Sequence, residues 1–146
     1  MFLENMEEIR RELEATLSRK KVLSEDYILS SYVRDGTLFY YPLSKPSVVV
    51  LPDSTEDVQR IIQIANKYRI PVVASAGRTN SWGAVDSSKG IAIDMCHMNR
   101  VLEIDEKNLT FTVQAGANVH HMNRELDKMG YRYPTHPLNN AAISFG

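Results

Sequence analysis

The amino-acid sequence predicts an α/β fold, a small mixed sheet built on a strand-helix-strand crossover with a hairpin, and three observations carry that expectation. First, Ser47 to Pro52 reads SVVVLP, a short β-branched run closed by proline, the form of a strand buried on both faces. Second, an amphipathic stretch follows at once. Ser54 or Thr55 can cap it, Glu56 and Asp57 fill its first turn, and Val58, Ile61, Ile62, Ala65 and Tyr68 make an apolar stripe before Pro71. Third, Pro71-Val72-Val73-Ala74 opens a second extended run. Strand, helix and strand within about thirty residues form a right-handed crossover between parallel strands.

The remaining elements follow in order. Met6, Ile9, Leu13 and Leu17 fall at helical spacing among charged residues, which predicts an amphipathic N-terminal helix. Residues 22–45 are mixed, with the turn signal Asp35-Gly36 and the breakers Pro42 and Pro46 nearby, and read as a connecting arm. Residues 75–89 are small, polar and glycine-bearing, and Ile91 to Met95 reads as a third strand. Val101 to Asp105 and Leu109 to Val113 flank Glu106-Lys107-Asn108 as a hairpin whose second arm alternates Leu109, Phe111 and Val113 with Thr110, Thr112 and Gln114. Asn118 can cap a helix carrying Val119, Met122, Leu126 and Met129, which Gly130 is placed to end. Tyr131 to Gly146 reads as loop. The domain reading is 1–45 for the helix and arm, 46–116 for a first α/β lobe, and 117–146 for the start of a second, incomplete lobe.

Composition narrows the function. The chain has 146 residues, 43% hydrophobic and 24% charged, with a net charge of -1, so it has ordinary globular composition and no electrostatic footprint for nucleic acid. Its longest apolar run, Val48 to Leu51, is far short of the roughly 20 residues that span a bilayer. The acidic N-terminus is unlike a signal peptide, and one cysteine, Cys96, forms no internal disulfide. The expectation is a cytoplasmic protein.

The candidate binding element is the loop after the second strand. Ala74, Ser75, Ala76, Gly77, Thr79, Ser81 and Gly83 let the backbone approach a ligand and aim several N–H groups into one concavity. Residues 71–85 contain no acid and one cation, Arg78, whereas Asp53, Glu56 and Asp57 crowd the preceding helix start, so an anion should choose the loop. The dinucleotide string G-x-G-x-x-G is absent.

Four ordered motifs then resemble the flavin-binding (PCMH-type) domain of the vanillyl-alcohol oxidase family, in particular the FAD-linked D-2-hydroxyacid dehydrogenases that include the D subunit of glycolate oxidase. Pro52 and Ser54-Thr55-Glu56-Asp57-Val58 match a proline-ended strand followed by S-T-E-E-V. Ile70-Pro71-Val72-Val73, Ala76-Gly77, Ser81 and Gly83 match the glycine-rich line. Asp94-Met95 with Met98 to Asp105, and Val113-Gln114-Ala115-Gly116, match the third motif and the short V-x-P-G. Pro137, Ala142, Ser144 and Gly146 correspond more loosely to the family's second loop. The resemblance implies FAD held noncovalently, its pyrophosphate on Ser75, Ala76, Gly77, Arg78, Thr79, Asn80 and Ser81, with further contacts from Pro137, Ala142, Ser144 and Gly146.

Three positions depart from the family line. Ser75 and Trp82 stand where glycine is usual and narrow the cradle. Arg78 stands where threonine or a flavin-bonding histidine is usual, which excludes covalent attachment there and offers a guanidinium to a phosphate. Family members continue through the second flavin lobe and a cap domain that supplies substrate-binding and catalytic groups, so turnover by this chain alone is not expected and no catalytic residue is assigned. The rival expectation is a non-catalytic module that binds a partner chain or a second copy through uncovered sheet edges and apolar surface.

Other residues take plainer readings. Adjacent His120 and His121 point about 100° apart on a helix and do not share a metal. Cys96 reads as a small buried thiol, and Met95, Met98, Met122 and Met129 as packing residues. His136, in the second loop, is a candidate to approach flavin or substrate.

Overall fold

A computed structural model describes residues 2–34, 44–80, 84, 86, 89–134 and 142–146. Helix α1 (Phe2–Leu17) places Ile9, Leu13 and Leu17 inside, the stripe its spacing predicts. Strand β1 (Val22–Leu23) and helix α2 (Asp26–Ser31) come next, within the segment read as a connecting arm. Strand β2 (Val48–Val50) is fully buried, as its β-branched run requires. Helix α3 (Thr55–Tyr68) is capped by Ser54, whose side chain accepts the Asp57 N–H at 3.1 Å. Its buried face differs from the expected stripe: Ile64 is inside and Ile62 is 39% exposed. The helix meets the core through Ile61, Ile64, Ala65 and Tyr68, an i, i+3, i+4, i+7 set.

Strands β3 (Val72–Ser75) and β4 (Ile91–Asp94) complete a four-stranded sheet of order β1-β2-β4-β3. β4 runs parallel to both β2 and β3, and β1 is antiparallel to β2. Because side chains alternate across a sheet, Val48, Val50, Ile91 and Ile93 face α1 and α3. Val49 and Ala92 face the other way, against Leu29 of α2. Glu12 tethers the two larger helices, accepting from Lys67 Nζ at 2.7 Å and from the Tyr68 hydroxyl at 2.7 Å.

Strands β5 (Val101–Asp105) and β6 (Thr110–Val113) form a separate two-stranded hairpin. Asp105 closes its turn, accepting the N–H groups of Lys107 and Asn108. Phe111 and Val113 are half-buried, but Leu109 is 74% exposed and lies outside the buried face expected of that arm. Helix α4 (Val119–Asp127) buries Val119, Met122 and Leu126. Met129, expected on that stripe, follows the helix and is exposed. Gly130 takes a left-handed φ of 79°, and Tyr131 N–H returns to the Leu126 carbonyl at 3.0 Å.

The described end of the chain, read as loop, is tied down. Val119 N–H donates to Ile143 O, Phe145 N–H to Ala117 O and Gly146 N–H to Ala115 O, while Phe145 packs edge-on against Phe111 at 5.3 Å. Among the described residues no helix is long and apolar enough to cross a membrane.

Candidate functional site

The loop that leaves β3 emerges at the same sheet end as the close of β4, because Ser75 is in register with Asp94. This is where ligands bind in open α/β sheets, beyond the carboxyl ends of parallel strands. Ala76 is buried, and its carbonyl accepts a weak bond from Cys96 Sγ at 3.4 Å. Gly77 sits against the final segment of the chain. Its N–H donates to Ser144 Oγ at 2.9 Å, and a Cβ there would lie 2.1 Å from the Ala142 carbonyl oxygen. Only glycine permits that approach. Ser144 Oγ in turn donates to the Gly146 carbonyl at 2.7 Å, so one hydroxyl locks the two loops across 67 residues of sequence.

Two cavities flank this contact. The larger, about 440 Å³, is lined by Ser75, Ala76, Arg78, Thr79, Asn80, Ile143, Ser144 and Gly146, together with Ala74 and Ala84. The second, about 300 Å³, is lined by Gly77, Cys96, Asn99, Gly116, Asn118, His121, Ala142 and Ser144. Among the described residues, no carboxylate side chain lines either one. Among the described residues, the backbone N–H groups of Arg78 and Thr79 donate to no protein acceptor. Free N–H donors, the hydroxyls of Ser75 and Thr79 and an acid-free wall form a donor set that suits an anion such as a pyrophosphate. The N-terminus of α3 is already neutralised: Asp53 and Asp57 crowd it and share Lys21 Nζ at 2.8 and 2.6 Å.

Arg78 is engaged with the protein itself. Its guanidinium, read as available to a phosphate, donates from Nη1 to the Ser31 carbonyl at 2.9 Å and lies 4.2 Å over the Tyr32 ring. Tyr32 was invisible as a site residue, because nothing in an arm of mixed composition marks one tyrosine over its neighbours. Its hydroxyl donates to Asp94 Oδ2 at 2.6 Å, and burial together with that carboxylate pushes the phenol well above its ordinary value. Asp94, 8% exposed, also accepts the Cys96 N–H at 2.9 Å. Cys96, in the turn after β4 where the sequence places it, is exposed, which corrects the reading of a buried thiol. Partial desolvation of the sulfur, and after it the neighbouring Asp94, push its thiol up to about 11.

Of the expected site residues, the structure therefore brings Ser75, Ala76, Gly77, Arg78, Thr79 and Asn80 together with Ala142, Ser144 and Gly146 around one pair of cavities. Ser81, Trp82, Gly83, His136 and Pro137 lie outside the described residues. His120 and His121 are both exposed, and no metal-binding cluster is found among the described residues.

Comparison with known proteins names the family. Residues 46–146 match the FAD binding domain family. The chain is 37% identical over 116 residues to glycolate oxidase subunit GlcD of Bacillus subtilis (strain 168), covering 79% of this chain and 24% of that protein. It is 31% identical over 122 residues to a D-lactate dehydrogenase of Anaerostipes hadrus, covering 83% and 26%. Among solved structures, an alkyldihydroxyacetonephosphate synthase superposes with a TM-score of 0.84 at 26% identity, covering 95% of this chain and 30% of that one. The chain thus spans about a quarter of the length of these curated relatives. With the motifs and the mixed sheet in agreement with that match, the chain belongs to the FAD binding domain family, whose cofactor is FAD.

Proposed function

We propose that this chain is the nucleotide-binding portion of an FAD-dependent oxidoreductase acting on a 2-hydroxy acid of the glycolate or D-lactate type. In this reading residues 46–116 form the first lobe and 117–146 open the second. Ser75 to Ser81 hold the pyrophosphate noncovalently, and Pro137, Ala142, Ser144 and Gly146 supply further contacts to the cofactor. The observation that carries it is the acid-free cavity beneath the loop, bounded on its far side by Ile143, Ser144 and Gly146. The substrate class rests on the names of two relatives. Bound flavin supplies the two-electron redox chemistry, and this chain's residues bind and orient it.

Titration of the chain with FAD, followed by flavin fluorescence, tests this reading, with FMN and AMP as controls. Saturable binding of FAD in preference to FMN is expected, because only FAD carries the pyrophosphate and adenosine. No binding at high micromolar FAD overturns it. Bound flavin should not be reduced by glycolate or D-lactate with this quarter-length chain alone. A second reading, a self-associating or partner-binding module, draws on Leu102 and Leu109, 57% and 74% exposed on the hairpin. Association of the FAD-free chain in sedimentation velocity, lost on replacing both leucines with serine, would favour it.

A further inference from the structure

Arg78 is held in a left-handed conformation with φ of 49°, a region that L-residues occupy only when the surroundings impose it. The surroundings here are visible. Ser31 closes α2, so its carbonyl is one of the acceptors a helix end leaves without an intrahelical donor, and Arg78 Nη1 fills it. The guanidinium also rests on the Tyr32 ring. That ring is fixed at its far end by Asp94, whose second oxygen is committed to the Cys96 N–H. Asp94 closes β4, the strand paired with β3. A chain of contacts therefore runs from the sheet end through Asp94, Tyr32 and the guanidinium into the loop backbone.

We propose that Arg78 serves FAD binding as a positioning residue latched to Tyr32 and α2, and not as a direct ligand of the pyrophosphate. The latch holds residues 76–80 in the conformation that presents the Arg78 and Thr79 N–H groups. The inference rests on the FAD-binding reading above, and it makes Tyr32, far from the loop in sequence, a determinant of affinity.

The test measures FAD affinity by flavin fluorescence and amide hydrogen exchange at residues 76–80 in the FAD-free chain. The variants are Arg78→Gln, Arg78→Lys, Tyr32→Leu and the Arg78→Gln/Tyr32→Leu pair. Each single variant is expected to weaken FAD binding about tenfold and to speed exchange in the loop. The pair should be no worse than the weaker-binding single, since both remove one coupled interaction. Lys is not expected to rescue, because it has no planar face to lie on the ring. Tyr32→Phe, which keeps the ring and the fold, should retain more affinity than Tyr32→Leu. A direct phosphate ligand would behave differently: Tyr32→Leu would leave affinity and exchange unchanged, Arg78→Lys would restore binding, and Arg78→Gln would flatten its salt dependence. Any of those results overturns the latch. Failure of the wild-type chain to bind FAD would remove the functional reading instead, and unchanged loop exchange in Arg78→Gln and Tyr32→Leu would then remove the latch as well.

Discussion

Replacing Gly77 with alanine perturbs the joint on which the site depends. The added Cβ would sit 2.1 Å from Ala142 O, 3.1 Å from Ser144 N and 3.2 Å from Ala142 C, all backbone atoms. No side-chain rotation relieves such a clash, so one loop must retreat by about an ångström to reach ordinary contact. Overpacking of this kind costs about 1–3 kcal/mol. The displacement also stretches the 2.9 Å bond from Gly77 N–H to Ser144 Oγ, worth about 1 kcal/mol. A combined loss of about 2–4 kcal/mol lowers the thermal midpoint of a chain this size by roughly 6–12 °C. Differential scanning fluorimetry of the FAD-free chain measures it. Ser144→Ala is the companion, removing the bond without the clash and lowering the midpoint by roughly 3 °C. FAD affinity should fall in both, further in Gly77→Ala. An unchanged midpoint and unchanged affinity in Gly77→Ala would refute the close approach of the two loops.

Three further outcomes follow from other contacts. The Lys67 ammonium, and after it the Tyr68 hydroxyl, hold the Glu12 carboxyl below its ordinary value of 4.5. A depressed folded value means that the stabilisation is complete above the ordinary value and is lost as pH falls through the lowered one. Glu12→Gln should therefore lower the thermal midpoint near pH 7, and the difference from wild type should close in acid. Cys96 is exposed, but its thiol is pushed up to about 11, first by partial desolvation of the sulfur and then by Asp94, so alkylation by iodoacetamide at about pH 8 should be slow and should quicken in Asp94→Asn. Ser54→Ala removes the cap of α3 and should cost about 1 kcal/mol in chemical denaturation.

Much of the fold was legible because its signals are local. Ile9, Leu13 and Leu17 repeat at helical spacing, and Val48 to Val50 is buried on both faces as an uninterrupted β-branched run demands. Ser54 and Asn118 cap helices where their position ahead of an apolar stripe places them. The failures fall where a local signal is too short or where distant packing decides. A two-residue strand such as Val22–Leu23 is too short to display a period. Ile62 and Ile64 are both apolar, and only the direction from which α1 and the sheet approach α3 decides that Ile64 goes inside. In the hairpin, alternation marks which residues share a face, while the packing of Phe145 and Tyr133 on Phe111 marks how far along the arm that face is covered.

The site divides in the same way. Sequence alone determined that an acid-free, small-residue loop follows a strand, the pattern from which an anion cradle is expected, since residue type sets charge and backbone accessibility wherever the chain goes. The tertiary structure decided what that loop touches. It set Gly77 against Ser144 across 67 residues and turned the Arg78 guanidinium toward Ser31 and Tyr32. Charge and size are properties of a residue, whereas the partner of a hydrogen bond depends on which distant segments the sheet brings within three ångströms or so, and no periodicity in the chain encodes that distance.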